Sequence, residues 1–200
     1  MLNENCYKRD NISFGKTIRY IGEDNVARLV FMGKSPTLLN SMASLFSPNM
    51  MVISIYRLSH YFHSKKIGFL ARLLYMCNIT LFGCEIVPSA QIGPGLCIAH
   101  VVGIVIHAKI GKNAILFGQN VFGGRGDEVF NGWLGGPVVG DNVTFGFGSK
   151  AFGYIEIGDD VFVAAMSLVT RSVPNNAVVA GVPAKVSSMK RPSRAEHKII

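Results

Sequence analysis

Charge is what this chain has least of. Only 16% of its 200 residues are Asp, Glu, Lys or Arg, and the acidic ones number 12. With 49% hydrophobic residues beside so little charge, disorder is excluded as the default state, and the length suits one main domain with at most a small appendage. The four cysteines, Cys6, Cys77, Cys84 and Cys97, form no CxxC pair, which removes the common zinc and redox spacings and reads as free thiols in a reducing cytoplasm. No basic, apolar and small-residue succession opens the chain, so no secretory leader is expected. An unbroken apolar run is missing as well. Residues 35–56 carry no charge, but Pro36, Asn40, Ser41, Ser47, Pro48 and Asn49 interrupt them, which argues against a spanning helix.

The net charge of +8 would suit nucleic acid, yet neither a basic recognition helix nor an aromatic platform is assembled, so no nucleic-acid partner is expected. The basic residues gather instead in two clusters. Arg57, Lys65, Lys66 and Arg72 form one; Lys185, Lys190, Arg191, Arg194 and Lys198 form the other. Such clusters suit lipid head groups, the phosphates of a nucleotide, or plain solvent.

What the chain does have is glycine, 22 residues of it, and a six-residue beat. From Ile86 the apolar positions recur at Ile92, Ile98, Ile104, Ile110, Leu116 and Phe122, then again at Val139, Phe145, Ala151, Ile157, Val163 and Val169. A small residue often follows, as in Ile92-Gly93, Ile110-Gly111, Phe145-Gly146 and Val163-Ala164. A period of six fits neither the 3.6 of an α-helix nor the 2 of a simple strand. It fits a triangular coil with six residues to a side, whose inward residues stack in a ladder from coil to coil. The expected fold is therefore mainly β, a left-handed parallel β-helix over residues 83–174. The stretch 123–137 is too long for one side and reads as an extruded loop carrying Trp133, the only tryptophan.

Before the coil, residues 1–82 read as a mainly helical segment. Ile55, Leu58, Phe62, Leu70, Leu73, Leu74 and Cys77 recur at helical spacing, with a break at Lys66-Ile67-Gly68, so two amphipathic helices joined by a turn are expected over residues 51–80. Their apolar face has two candidate partners, the first coil or a neighbouring subunit on one side and an anionic membrane surface on the other. Packing is preferred. Residues 175–200 leave the repeat and read as a C-terminal tail.

Three stretches resemble a known family: Glu85-Ile86-Val87-Pro88-Ser89-Ala90-Gln91-Ile92-Gly93-Pro94-Gly95-Leu96; Ala99-His100 with Gly103-Ile104-Val105-Ile106; and Ala180-Gly181-Val182-Pro183-Ala184-Lys185. They are similar to the hexapeptide-repeat acyltransferases, in the branch of serine acetyltransferase and the sugar O-acetyltransferases of polysaccharide assembly. The resemblance implies a homotrimer, acetyl-CoA as acyl donor in a groove between coils, and a histidine base at a subunit interface. On this resemblance His100 is the general base, since a hydroxyl is a poor nucleophile until its proton is taken, and Glu85 is the carboxylate that orients it. Gly124, Gly146, Phe147 and Ala165 are expected along the pantetheine, with Lys185 near the nucleotide phosphates.

Two departures bear on the acceptor. Where the serine enzymes have an aspartate immediately before the histidine this chain has Ala99, and their loop histidine before a proline matches Gly136. A small zwitterion needs polar partners to be held. Together with Trp133 in the enlarged loop, this favours a sugar hydroxyl of a polysaccharide or its precursor, with serine as the alternative and a non-enzymatic scaffold as a third reading. Trp133 and Ala99 are the expected acceptor-side residues. His107 lies seven residues after His100 without metal partners and reads as structural or solvated; no metal is expected. The cytoplasm is the expected location, with the inner membrane face as the variant that lipid contact would imply.

Overall fold

The computed structural model describes residues 11–124, 129–130 and 133–189. Four helices come first. α1 (Phe14–Phe31), α2 (Leu38–Leu45) and α3 (Pro48–Ser64) each start at a hydroxyl residue, Ser13, Thr37 and Ser47, whose side chain accepts from a first-turn backbone N–H. α4 (Gly68–Phe82) ends at Gly83 in the left-handed region. The break between α3 and α4 falls where the sequence places it, with Lys66 at φ 63°.

The coil follows, and its two-residue strands stack into three parallel faces. The first face holds Glu85–Ile86, Val105–Ile106, Val121–Gly123, Lys150–Phe152 and Leu168–Val169; the second holds Gln91–Ile92, Lys109–Ile110, Val138–Val139 and Glu156–Ile157. The third holds Cys97–Ile98, Ile115–Leu116, Thr144–Phe145, Phe162–Val163 and Ala177–Gly181. This is the left-handed β-helix expected. Ladder residues such as Ile86, Ile106, Phe122 and Val163 are buried, and Phe122 meets Phe145 edge to face at 4.6 Å. Burying one such side chain contributes about 1.5–3 kcal/mol, so the ladder, more than the short strands, holds the coil together.

The beat slips once. Ile104 was expected in the ladder, but the residue in register with Ile86 and Phe122 is Ile106. Ile104 is also fully buried, at the corner place that Ala90 and Ala114 hold on neighbouring sides. The corner at His100 is thereby two residues longer than the repeat, and the next, at His107, two shorter.

Two boundaries differ from expectation. The coil does not end at residue 174: Ala177 and Val179 are buried, Phe162↔Val178 and Val163↔Val179 pair in parallel, and only then does Ala184–Met189 fold back antiparallel. The extruded loop leaves at Gly124 and returns at Gly135, with a short antiparallel pair between Val129–Phe130 and Trp133–Leu134.

The basic cluster assigned to Arg57 is also corrected. Arg57 is 2% exposed and grips Asp24 of α1 through Nε at 2.9 Å and a second nitrogen at 3.0 Å. It faces no solvent. Met50, Val52, Ile53 and Tyr56 of α3 join the coil's core, so this helix face packs on the protein, which removes its share of the basis for lipid contact. No single helix among the described residues is long and apolar enough to cross a membrane.

Candidate active site

Two edges of the prism border the first face, and the residues singled out in the sequence divide between them. His100 stands on the edge between the third and first faces, on the corner lengthened by two residues. It is exposed. Asn49, in the first turn of α3, pins the corner by donating to the carbonyls of Ile98 and Ala99, both at 2.8 Å. Cys84 donates to the Val101 carbonyl, and the Gln119 N–H donates to Val102 at 2.8 Å. The backbone is therefore fixed while the imidazole is left in the open.

Beneath His100 the edge continues through Gly118, Phe147, Ala165 and Met166. Phe147 presents its ring edge-on to the His100 imidazole, centroids 6.3 Å apart. Gly118, at φ 118°, lets the rungs close up: a β-carbon there would come within 2.9 Å of the His100 carbonyl oxygen. Asn120, fully buried, ties these rungs together. Its Oδ1 accepts from the Gly118 N–H at 2.9 Å, and its Nδ2 donates to the Gly146 carbonyl at 2.8 Å. Gly146 is required by the coil itself, since a β-carbon would lie 2.5 Å from the Ala165 nitrogen. Lys185 pairs with Ala180 at the far end of the third face and is exposed.

The second edge lies between the first and second faces. Gly124 is there, packed on Gly135 and Gly136 at the root of the loop. Trp133 is on a loop strand, and its side chain lies outside the described residues. Glu85 stands on the first face itself, in register with Val105. Its Oε1 accepts from the Tyr75 hydroxyl of α4 at 2.8 Å, and its charge acts on His107. Among the described residues no hydrogen bond joins Glu85 to His100, so the expected orienting contact is not made within one chain.

Burial pushes the Cys84 thiol up to about 11 and the Cys97 thiol up to about 12, leaving both protonated and poor nucleophiles. A cavity of about 160 Å³ lies elsewhere, lined by Lys16, Tyr20, Arg57 and Gln91 among others. Its lining includes neither His100 nor the glycines at the root of the loop. Sequence reasoning missed Asn49, Asn120 and Tyr75. Asn120 left a trace, a polar residue at a corner place that the beat fills with small or apolar ones; Tyr75 left none.

A left-handed coil of six-residue sides, with an exposed imidazole heading a column of small and apolar residues, defines a hexapeptide-repeat transferase. No family model matches the chain. A serine acetyltransferase of Helicobacter pylori strain J99 is 34% identical over 149 residues, covering 74% of this chain and 85% of that protein. One from Synechococcus elongatus is 31% identical over 162 residues, covering 80% of this chain. The solved serine acetyltransferase of Brucella abortus in complex with coenzyme A superposes with a TM-score of 0.74 at 26% identity, over 89% of this chain and 70% of that one. The chain belongs to the serine acetyltransferase family. It spans 65% of the Synechococcus protein's length.

These relatives correct the acceptor expected from the sequence. A sugar hydroxyl and a role in polysaccharide assembly rested on Ala99, Gly136 and the loop, whereas the similar proteins are serine acetyltransferases across most of the chain. Two local departures do not outweigh a likeness of that extent.

Proposed function

We propose that the chain transfers an acetyl group from acetyl-CoA to the side-chain hydroxyl of serine, with His100 as the general base. The imidazole takes the hydroxyl proton as the oxygen attacks the thioester carbonyl carbon. The tetrahedral intermediate then collapses, the carbon–sulfur bond breaks, and the imidazolium returns its proton to the leaving thiolate. The observation that carries this reading is the exposed imidazole above Phe147 and Ala165 on a rigid corner, in a chain of this family.

Along that edge Gly146, Phe147 and Ala165 offer a narrow backbone track for the pantetheine arm, and Lys185 offers a point charge for phosphate. Gly124 and Trp133 sit on the other edge, so they reach the same donor only from a neighbouring subunit. This supports a closed homotrimer, in which the loop edge of one protomer meets the His100 edge of the next.

Release of CoA thiol from acetyl-CoA in the presence of L-serine tests the reading. The wild-type chain shows saturable serine-dependent release, and His100→Ala lowers kcat by at least about 10²-fold. Absence of serine-dependent release from the wild type retires the acceptor; undiminished release by His100→Ala retires the base.

A further inference from the structure

The cavity of about 160 Å³ beside Arg57 takes no part in acyl transfer by His100, and its only charged lining residues are basic. Two ammonium groups reach it from separate parts of the chain, Lys16 from the first turn of α1 and Lys109 from the second face of the coil. Neither lysine is in an ion pair among the described residues. Arg57 lies behind them, but its charge is already answered by Asp24 and by the carbonyls of Ile92 and Gly93.

No carboxylate stands near enough to balance the two lysines from the coil. In the outward column of the second face Lys109 has Gln91 on one side and Val138 on the other, and the first acid, Glu156, is two rungs away, about 10 Å at the usual strand spacing. The wall between the lysines is of low polarity. Ile12, Ile92 and Ile110 in it are buried, and the Tyr20 ring has the Lys16 Nζ 5.4 Å from its centroid and the Arg57 guanidinium 5.1 Å from it. A cleft of one charge sign with apolar walls focuses its field and concentrates counter-ions. The volume equals that of about five waters, which admits a tetrahedral oxyanion with some hydration and is too small for a nucleotide.

We propose that this cavity binds a small doubly charged oxyanion of the inorganic phosphate or sulfate class, clamped between Lys16 and Lys109, with the Gln91 carboxamide as a neutral donor. Lys16 belongs to the helical segment and Lys109 to the coil. The ion therefore bridges the two and stabilises their packing by mass action.

The test is a calorimetric titration of inorganic phosphate into the full chain at about pH 8, where phosphate is a dianion, at fixed ionic strength and without acetyl-CoA. The wild type binds one phosphate per chain saturably, sulfate competes, and singly charged acetate at the same concentration does not. Lys16→Gln and Lys109→Gln each weaken binding at least about tenfold, the worth of one hydrogen bond between charged groups. Both lysines are exposed, where substitution costs little stability, so these variants keep the fold. Two controls lose the same charge elsewhere: Lys112→Gln, three residues beyond Lys109 and outside the lining, and Lys185→Gln, at the end expected to meet the donor's phosphates. Both bind phosphate within about twofold of the wild type. Absence of saturable binding overturns the inference, as does unchanged affinity in Lys16→Gln and Lys109→Gln. An equal loss in Lys112→Gln would reduce the effect to net charge, and a loss in Lys185→Gln would put the ion in the donor's groove; either result overturns it as well.

Discussion

Arg57 of α3 and Asp24 of α1 form a buried two-point ion pair that also ties the helices to the first coil. Arg57 donates to the carbonyls of Ile92 and Gly93, and Asp24 accepts from the Leu96 N–H at 2.8 Å. Burial pushes the Asp24 carboxyl above its usual range, against the pull of Arg57 and that N–H. Removing one partner of such a pair leaves an uncompensated buried charge. Arg57→Met is expected to cost about 3–5 kcal/mol in urea unfolding, and Asp24→Asn at least as much, since it leaves the guanidinium buried without its counter-charge. A loss under about 1 kcal/mol for Arg57→Met would mean that the pair does not anchor the helices.

Asn120 makes a narrower prediction. Its replacement by alanine strands the Gly118 N–H inside the coil, for a loss of about 1–3 kcal/mol, while the Gly146 carbonyl keeps the Ser149 N–H and hydroxyl. Gly118 lies directly under His100, so activity falls with stability. Equilibrium unfolding and thiol-release rates on Asn120→Ala check both; a stable variant with reduced activity would separate the two effects and deny the structural link.

The coil was legible because each six-residue side repeats one inward apolar residue. The slip between Ile98 and Ile110 was not, because Ile104 and Ile106 are both apolar and both buried, and only strand register tells ladder from corner. On α3 the stripe read from spacing, Ile55, Leu58 and Phe62, is half-buried, while the fully buried face includes Arg57, Ser59 and His60. Their partners are Asp24, the Ala71 carbonyl at 2.7 Å and the Pro88 carbonyl at 2.9 Å, none adjacent in sequence, so no local pattern marks these residues as interior. His100 stood out through its flanking residues. Glu85 was noticed for the same reason, but its in-chain partner is Tyr75, which depends on how α4 docks on the coil.

Gly136 shows why one departure from the serine enzymes resists reversal. A β-carbon there would overlap the His107 carbonyl oxygen, and that oxygen belongs to backbone, which cannot swing away. Gly136→His is therefore expected to lower the melting temperature by several degrees, on the order of 1–3 kcal/mol for overpacking, without lowering the KM for serine. A variant of parental stability that binds serine more tightly would show that the loop root yields.

The pH dependence of stability isolates His107 from catalysis. Burial lowers its pKa below the ordinary value, with Glu85 acting in the opposite sense. A base whose folded-state pKa lies below its unfolded one holds fewer protons when folded, so its contribution to stability is present above about pH 6.5 and is lost as pH falls through the lowered value. His107→Gln has no such term. The melting-temperature difference between wild type and His107→Gln is therefore expected to move in favour of the wild type as pH is raised from about 5 to about 8. A difference that stays flat, or moves the other way, would mean that the ring titrates as freely in the folded chain as in the unfolded one, and that nothing at the root of the loop holds it neutral.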